Sequence, residues 1–300
     1  MYVILGATGH TGTIVANELL SKKKKVRVVG RDNQRLAAFI SRGAEGFAAN
    51  VTDEKALSRA FTGAEAVYVM IPPDPTHENY RGFQSQANNV IAKALENAAV
   101  QHAVTLSSVG ADKTDKTGPI VGLHEMETKL SQIKGLNVLH LRAGYFMENT
   151  LPQAGVIRNL QKMAGPVAAD VKLPMIASKD IGAAAAEALL KLDFKGKQTH
   201  ELQGQRDLTY QEIAVIVAGV IGKPGLEYVR PPDDQIVQGM ISTGMSRNFA
   251  ESILELASAL NRGHVKMLEP RSTKNTTPTS YETFAREVFL PAYRGQAAGA

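Results

Sequence analysis

Gly6-Ala7-Thr8-Gly9-His10-Thr11-Gly12 follows directly on a short apolar run, Tyr2–Leu5, and leads into a segment of helical periodicity, Thr13–Ser21. The run reads as a buried strand. The segment reads as a helix with Ile14, Val15, Leu19 and Leu20 able to face a sheet. Between them the chain turns sharply, and glycine at the close positions lets backbone lie almost against a diphosphate that a Cβ would keep away. The opening of the helix adds unpaired N–H groups and a partial positive charge. Within the loop, Ala7, Thr8, His10 and Thr11 are expected to offer backbone or hydroxyl contacts. The spacing G-x-x-G-x-x-G is one residue longer than the usual dinucleotide fingerprint, but strand, turn and helix stand in the order that motif requires. The other reading is a glycine-rich turn that holds nothing.

Working outward, Val26–Val29 is the second strand, and its end decides which dinucleotide fits. NAD-binding proteins usually carry Asp or Glu there for the ribose 2′-hydroxyl. Here the sequence is Val29-Gly30-Arg31-Asp32. Arg31 can grip a 2′-phosphate as a bidentate cation, which predicts NADP(H) in preference to NAD(H). Asp32 reads as the cap of a helix over 33–41. The alternative for Arg31 is a solvated loop charge.

Beyond this point strands and helices alternate. Gly46–Ala49, Ala66–Ile71, Ala103–Leu106 and Val138–Leu141 are strand runs, and Glu54–Phe61 is a short helix. The spacing of Ala87, Val90, Ile91, Ala94, Leu95 and Ala98 marks one buried helical face. The pattern predicts an α/β, Rossmann-like, doubly wound parallel sheet. Residues 1–145 form the dinucleotide-binding domain, with a return segment at about 178–203. Residues 146–300 form a smaller α/β C-terminal lobe for substrate, mainly 146–177 and 204–294. The last residues, Gly295–Ala300, are expected to be disordered.

Composition narrows the function. The chain has 300 residues, 44% hydrophobic and 21% charged, which excludes a disordered tail, a collagen and a coiled coil. With no cysteine, thiolate catalysis, disulfides and cysteine-based metal sites drop out. None of the histidines pairs at the spacing of a helical zinc site, so no metal is expected. The net charge of +5 favours anionic small molecules weakly and is not the basic stripe of a nucleic-acid binder. No apolar stretch approaches the roughly 20 residues of a membrane span. Nor does the N-terminus read as a secretory signal, so a cytoplasmic location is expected.

Several stretches together resemble the NmrA-like group of atypical short-chain dehydrogenases. They are Gly6–Gly12, Arg31, the strand ending in Ile71-Pro72-Pro73, Ser107-Ser108, Lys129, and Leu141-Arg142-Ala143-Gly144-Tyr145-Phe146-Met147-Glu148-Asn149. Asp180-Ile181-Gly182 and Thr209-Tyr210-Gln211-Glu212-Ile213-Ala214 add to the likeness, which reaches to about Tyr293. The resemblance implies a cleft between a Rossmann-like domain and a small C-terminal lobe. Ile71 and Pro72, with Ser107, Lys129, Tyr145 and Phe146, would then line the cofactor. Lys129 would hold the nicotinamide ribose and Ser107 would polarise the acceptor. Tyr145, Phe146, Met147 and Asn149 would shape the acceptor site. The open alternatives are a solvated helix lysine for Lys129, interdomain core packing for Tyr145 to Met147, and a local turn held by Asn149 and Arg142.

One member of the usual Ser, Tyr and Lys set is missing. Four residues before Lys129 stands Glu125, preceded by His124, and no tyrosine. Glu125 or His124 replaces the phenol, or Glu125 is a surface residue, or the reaction needs no dedicated acid. Hydride transfer to a quinone leaves an anion spread over aromatic oxygens, which water can protonate. An alcohol dehydrogenase cannot dispense with proton transfer so easily. The expectation is an NADPH-preferring oxidoreductase that passes hydride to a quinone-like conjugated acceptor without flavin. The alternative is a non-catalytic dinucleotide sensor acting on a regulatory protein partner. Reduction of phenylpropanoid-like double bonds and epimerisation are weaker readings.

Overall fold

The computed structural model describes residues 1–296, so the terminal stretch expected to be disordered lies outside it except for Gly295 and Gln296. The first half is built from β1 (Tyr2–Leu5), α1 (His10–Ser21), β2 (Val26–Gly30), α2 (Asn33–Ile40), β3 (Glu45–Ala48), α3 (Glu54–Phe61), β4 (Ala66–Val69), α4 (Tyr80–Asn97), β5 (His102–Ser108), α5 (Ile120–Gln132) and β6 (Asn137–Ala143). It continues through β7 (Tyr145–Phe146), α6 (Gln153–Leu160), β8 (Met163–Ala164) and β9 (Leu173–Ile176). Helix α7 (Ser178–Lys191) and β10 (Lys197–Leu202) follow.

Seven strands form one sheet in the order β10-β6-β5-β4-β1-β2-β3. Every neighbouring pair in it is parallel, as the alternating pattern predicts. In β1, Val3 and Leu5 enter the core shared with α3, α4 and α5, while Tyr2 and Ile4 enter the core shared with α1, α2 and α7. Both faces are covered, which is why these strands are continuous apolar runs and not alternating ones. Crossover helices are stopped and started by polar caps. Asp32 Oδ1 accepts from the Gln34 amide, Asp53 caps α3 through the Ala56 amide, and Asn79 caps α4 through Gly82. That last cap starts α4 well before the apolar stripe that announced it.

The chain then forms β11 (Asp207–Leu208), α8 (Tyr210–Ile221), β12 (Tyr228–Val229), α9 (Asp233–Ser242), α10 (Arg247–Asn261) and α11 (Tyr281–Phe284). A π-helical turn, Ala285–Phe289, joins α11 to α12 (Leu290–Tyr293). Strands β11, β9 and β7 make a three-stranded sheet and β12 pairs with β8. A separate apolar core of Met147, Ile157, Met175, Tyr210, Val217, Tyr281 and Phe289 lies among these elements. The two-residue strands have no periodicity to announce them. Two carboxylates tie the crossings together: Glu148 accepts from the Ser178 amide and hydroxyl at the start of α7, and Asp180 accepts from Thr279. Among the described residues no helix is long and apolar enough to cross a membrane.

Candidate functional site

Because the large sheet is wholly parallel, the loops after β1, β2, β4, β5 and β6 leave from one edge, the edge where such folds place ligands. Gly6 ends β1 with φ +63°, and a Cβ there would sit 2.4 Å from the Met70 sulfur. Gly9 is the N-cap of α1 and donates to the Gly6 carbonyl at 2.9 Å. A Cβ on Gly12 would lie 2.2 Å from that same carbonyl oxygen. The first task of Gly6 and Gly12 is therefore to let the turn fold back on its own helix. The turn so formed leaves Thr8 and Gly9 half-buried and His10 exposed. No side chain caps α1 and no acid occupies its first turn, so its leading N–H groups remain available to oxygens of a ligand.

Two loop positions differ from expectation. Ala7 is fully buried, and Thr11 is 4% exposed with its hydroxyl accepting from the Tyr68 phenol at 2.9 Å. Both face the core, because α1 must pack on β4. At the end of β2, Gly30 is overhung by Leu36, and Asp32 is used as a cap. Arg31 is exposed and makes no hydrogen bond or ion pair among the described residues. Arg35, one helical turn on, is in the same state. The sequence reading passed over it, since a solvated arginine on a helix carries no pattern.

The other end of the edge is assembled from distant segments. Ser107 stands next to the end of β5, Arg142 lies beside it in register on β6, and Glu201 continues the row on β10. Glu127 enters from α5. Its carboxylate accepts from the Ser107 hydroxyl at 2.5 Å and takes a two-point contact from Arg142, at 2.9 Å from Nε and 2.6 Å from Nη2. Ser107 is only 2% exposed, so its hydroxyl anchors an internal cluster and is not offered to an acceptor. Glu201 accepts from the Leu268 and Glu269 amides. One step back along the same rows, Thr105 and His140 bond at 2.8 Å. Burial pushes the His140 imidazole down to about 4. Glu127 was missed by the sequence reading. Its signal was an acid beside Met126 on the helix face that turns inward.

Lys129 is also placed differently. It lies on the flank of α5 that faces α4, with Nζ 3.5 Å from Glu125 Oε1. Glu125 also receives Arg81 and the Ser85 hydroxyl. Burial works to raise the Glu125 carboxyl, but the hydrogen bonds from Ser85 and Arg81 and the neighbouring cations prevail and hold it below its ordinary value. It stays ionised and is no proton donor. The reason is helical spacing: Glu127 has taken the inward face, which turns residues 125 and 129 away from it. His124 bonds through Nδ1 to the Ala111 carbonyl at 2.8 Å.

After β6 the chain straddles two cores. Phe146 packs against the cluster that holds Ala7 and Met70, under the glycine turn. Tyr145 packs on the second core, its phenol 3.0 Å from that of Tyr210, which stacks on Tyr228 at 4.4 Å. Burial pushes the Tyr145 phenol up, against hydrogen bonds from Tyr210 and Asn149. Tyr145 and Phe146 keep part of their surface exposed, whereas Met147 is 1% exposed and is a core residue, not an acceptor contact. Its place follows from the tight turn after Phe146. Asn149 is exposed. Ile71 is buried and Pro72 half-buried beyond the end of β4.

Sheet order, glycine turn and carboxyl-edge loops define a Rossmann-type α/β protein. The sequence profile of the NmrA-like family matches residues 2–285, and the chain belongs to that family. It is 27% identical over 258 residues to an NAD(P)H azoreductase of Xenophilus azovorans, spanning 85% of this chain and 86% of that protein. The fold matches an NADPH-dependent quinone oxidoreductase of Escherichia coli complexed with NADPH, with a TM-score of 0.74, 21% identity and coverage of 100% and 96% of the two chains. It also matches a Citrobacter sp. triphenylmethane reductase complexed with NADP(H), with a TM-score of 0.80, 17% identity and coverage of 97% and 100%.

Proposed function

We propose that this chain is an NAD(P)H-dependent oxidoreductase that prefers NADPH and reduces a quinone-like conjugated acceptor without flavin. The dinucleotide would bind along the carboxyl edge, with its diphosphate on the first turn of α1 and its 2′-phosphate at Arg31. When bound, it supplies the hydride. Thr8, Gly9 and His10 would surround the diphosphate, while Tyr145 and Phe146, at the seam of the two cores, would wall the acceptor. The segments 146–177 and 204–294 would act as the substrate lobe. No ribose contact is assigned to Lys129 and no acceptor contact to Ser107 or Met147.

The observation that carries this reading is that, among the described residues, the serine and the carboxylate of the expected catalytic set are both engaged within the protein. The Ser107 hydroxyl is spent on Glu127, and Glu125 is held ionised by Arg81 and Ser85. Such a site suits an acceptor whose reduced anion is stabilised by conjugation and collects its proton from water. What the residues supply is position, holding two flat rings in contact, and this alone lowers a barrier substantially. The azoreductase relative, which is named for reducing a conjugated system, supports this reading.

The test is nicotinamide absorbance with purified protein and a panel of quinones and azo compounds. The expected result is decay that depends on acceptor and proceeds without added flavin. Binding of NADPH with no turnover on any acceptor would overturn the enzyme reading and leave a cofactor sensor working through a protein partner. The reading places the reaction in the cytoplasm, which cell fractionation checks.

A further inference from the structure

Helix α8 is apolar on two sides. Ile213, Ala214 and Val217 are buried in the second core. The opposite stripe runs Glu212, Val215, Ile216, Gly219, Val220, the i, i+3, i+4, i+7, i+8 spacing of a packed helix face. Yet Val215 is 72% exposed, the largest exposure of any large apolar residue described, and Ile216 and Val220 are only half-buried. With Glu282, Arg286 and Leu290 this stripe lines a groove of about 510 Å³. A helix apolar on both sides ordinarily has both sides covered.

The charges say by what. The stripe begins with an acid, Glu212, which is held ionised by hydrogen bonds from the Thr209 amide and hydroxyl. It ends with a base, Lys223, just past the left-handed cap Gly222. Lys223 donates to the Gln161 side chain, and neither it nor Arg286, which lines the groove, makes an ion pair among the described residues. An acid at one end and a base at the other is a self-complementary layout, because a two-fold axis across the helix brings each end to its opposite.

We propose that this face binds a second copy of the chain, with two α8 helices packed antiparallel about a two-fold axis. In that register Glu212 of each copy meets Lys223 of the other, and Val215 lies against Val220. Ile216 fills the hole above Gly219, where a Cβ would meet no atom within 4 Å. The inference does not depend on the proposed reaction.

The test is sedimentation velocity over a concentration series, with NADPH affinity measured in parallel. The wild-type chain is expected to form dimers, and Val215→Asp to weaken dimerisation at least about tenfold while leaving NADPH affinity unchanged, since tenfold corresponds to only about 1.4 kcal/mol. The cysteine-free sequence allows a register test. Mixed Val215→Cys and Val220→Cys chains should join by a disulfide under mild oxidation, which needs Cα atoms within about 7 Å. Val215→Cys alone should link no faster than a Glu96→Cys control. A chain monomeric throughout the series, a dimer indifferent to Val215→Asp, or rapid linking of Val215→Cys to itself would overturn the proposal.

Discussion

At the proposed phosphate end of the carboxyl edge, the glycine turn and one strand terminus would meet a dinucleotide through backbone and one guanidinium that is unpaired among the described residues. At the acceptor end, side chains from β5, α5, β6 and β10 converge, and almost every charge or hydroxyl there is already matched to another. The first region leaves the leading N–H groups of α1 without a side-chain cap and Arg31 without a partner among the described residues. The second has closed its polar groups on itself, so its free surface is aromatic and its buried interior carries the electrostatic risk. A buried charge with its partner removed costs far more than the pair contributed.

The sharpest way to break that contrast is Glu127→Ala. It strands the Arg142 guanidinium and the Ser107 hydroxyl together, and chemical denaturation should show a loss of about 3–5 kcal/mol. A loss comparable to a surface substitution would mean that the cluster is open to solvent.

Next comes acid titration. His140 is held at about 4, below its ordinary 6.5, by burial first, with Arg142 and Lys197 adding to the effect and Glu127 opposing it. The unfolded chain therefore takes up that proton more readily. The His140 contribution is complete above about pH 6.5 and is lost as pH falls towards 4, to a limit of roughly 3 kcal/mol. Stability curves for wild type and His140→Asn should converge over that window, and parallel curves would place the imidazole in water.

At the open end the effects are smaller and selective. Arg31→Glu should weaken NADPH binding by about 1–3 kcal/mol with NADH little changed, as titration calorimetry would show. An equal loss for both dinucleotides would assign Arg31 to the fold instead. Asp32→Ala should cost about 0.5–2 kcal/mol of stability through the lost cap, without altering the NADPH to NADH ratio.

The same contrast explains what could be read from the residues alone. Gly6–Gly12 are contiguous, and Arg31 stands beside the Asp32 cap, so local spacing carries their meaning. The parallel sheet followed from apolar runs separated by helical ones. Ser107 and Met147 stand where residues distant in the chain put them, while Lys129 is turned outward by a neighbour one helical turn away. Glu127 claims Ser107 and sets the rotation of α5. Glu125 then takes Lys129 on the outer flank, and the second core takes Met147. The two-residue strands β7, β8, β11 and β12 are too short for any periodicity and exist only through their neighbours.

The position of α7 and β10 limits how the protein could be dissected. The chain leaves the main sheet after β6, builds much of the second core, and only then supplies the helix that shields α1 and the strand that pairs with β6. A fragment cut at Gly144 would expose Ala16, Leu19 and the flank of β6 to water, and its glycine turn would rest on a helix stripped of its backing. Nucleotide affinity in this molecule should therefore be inseparable from residues well past the middle of the chain, however local its signature looks.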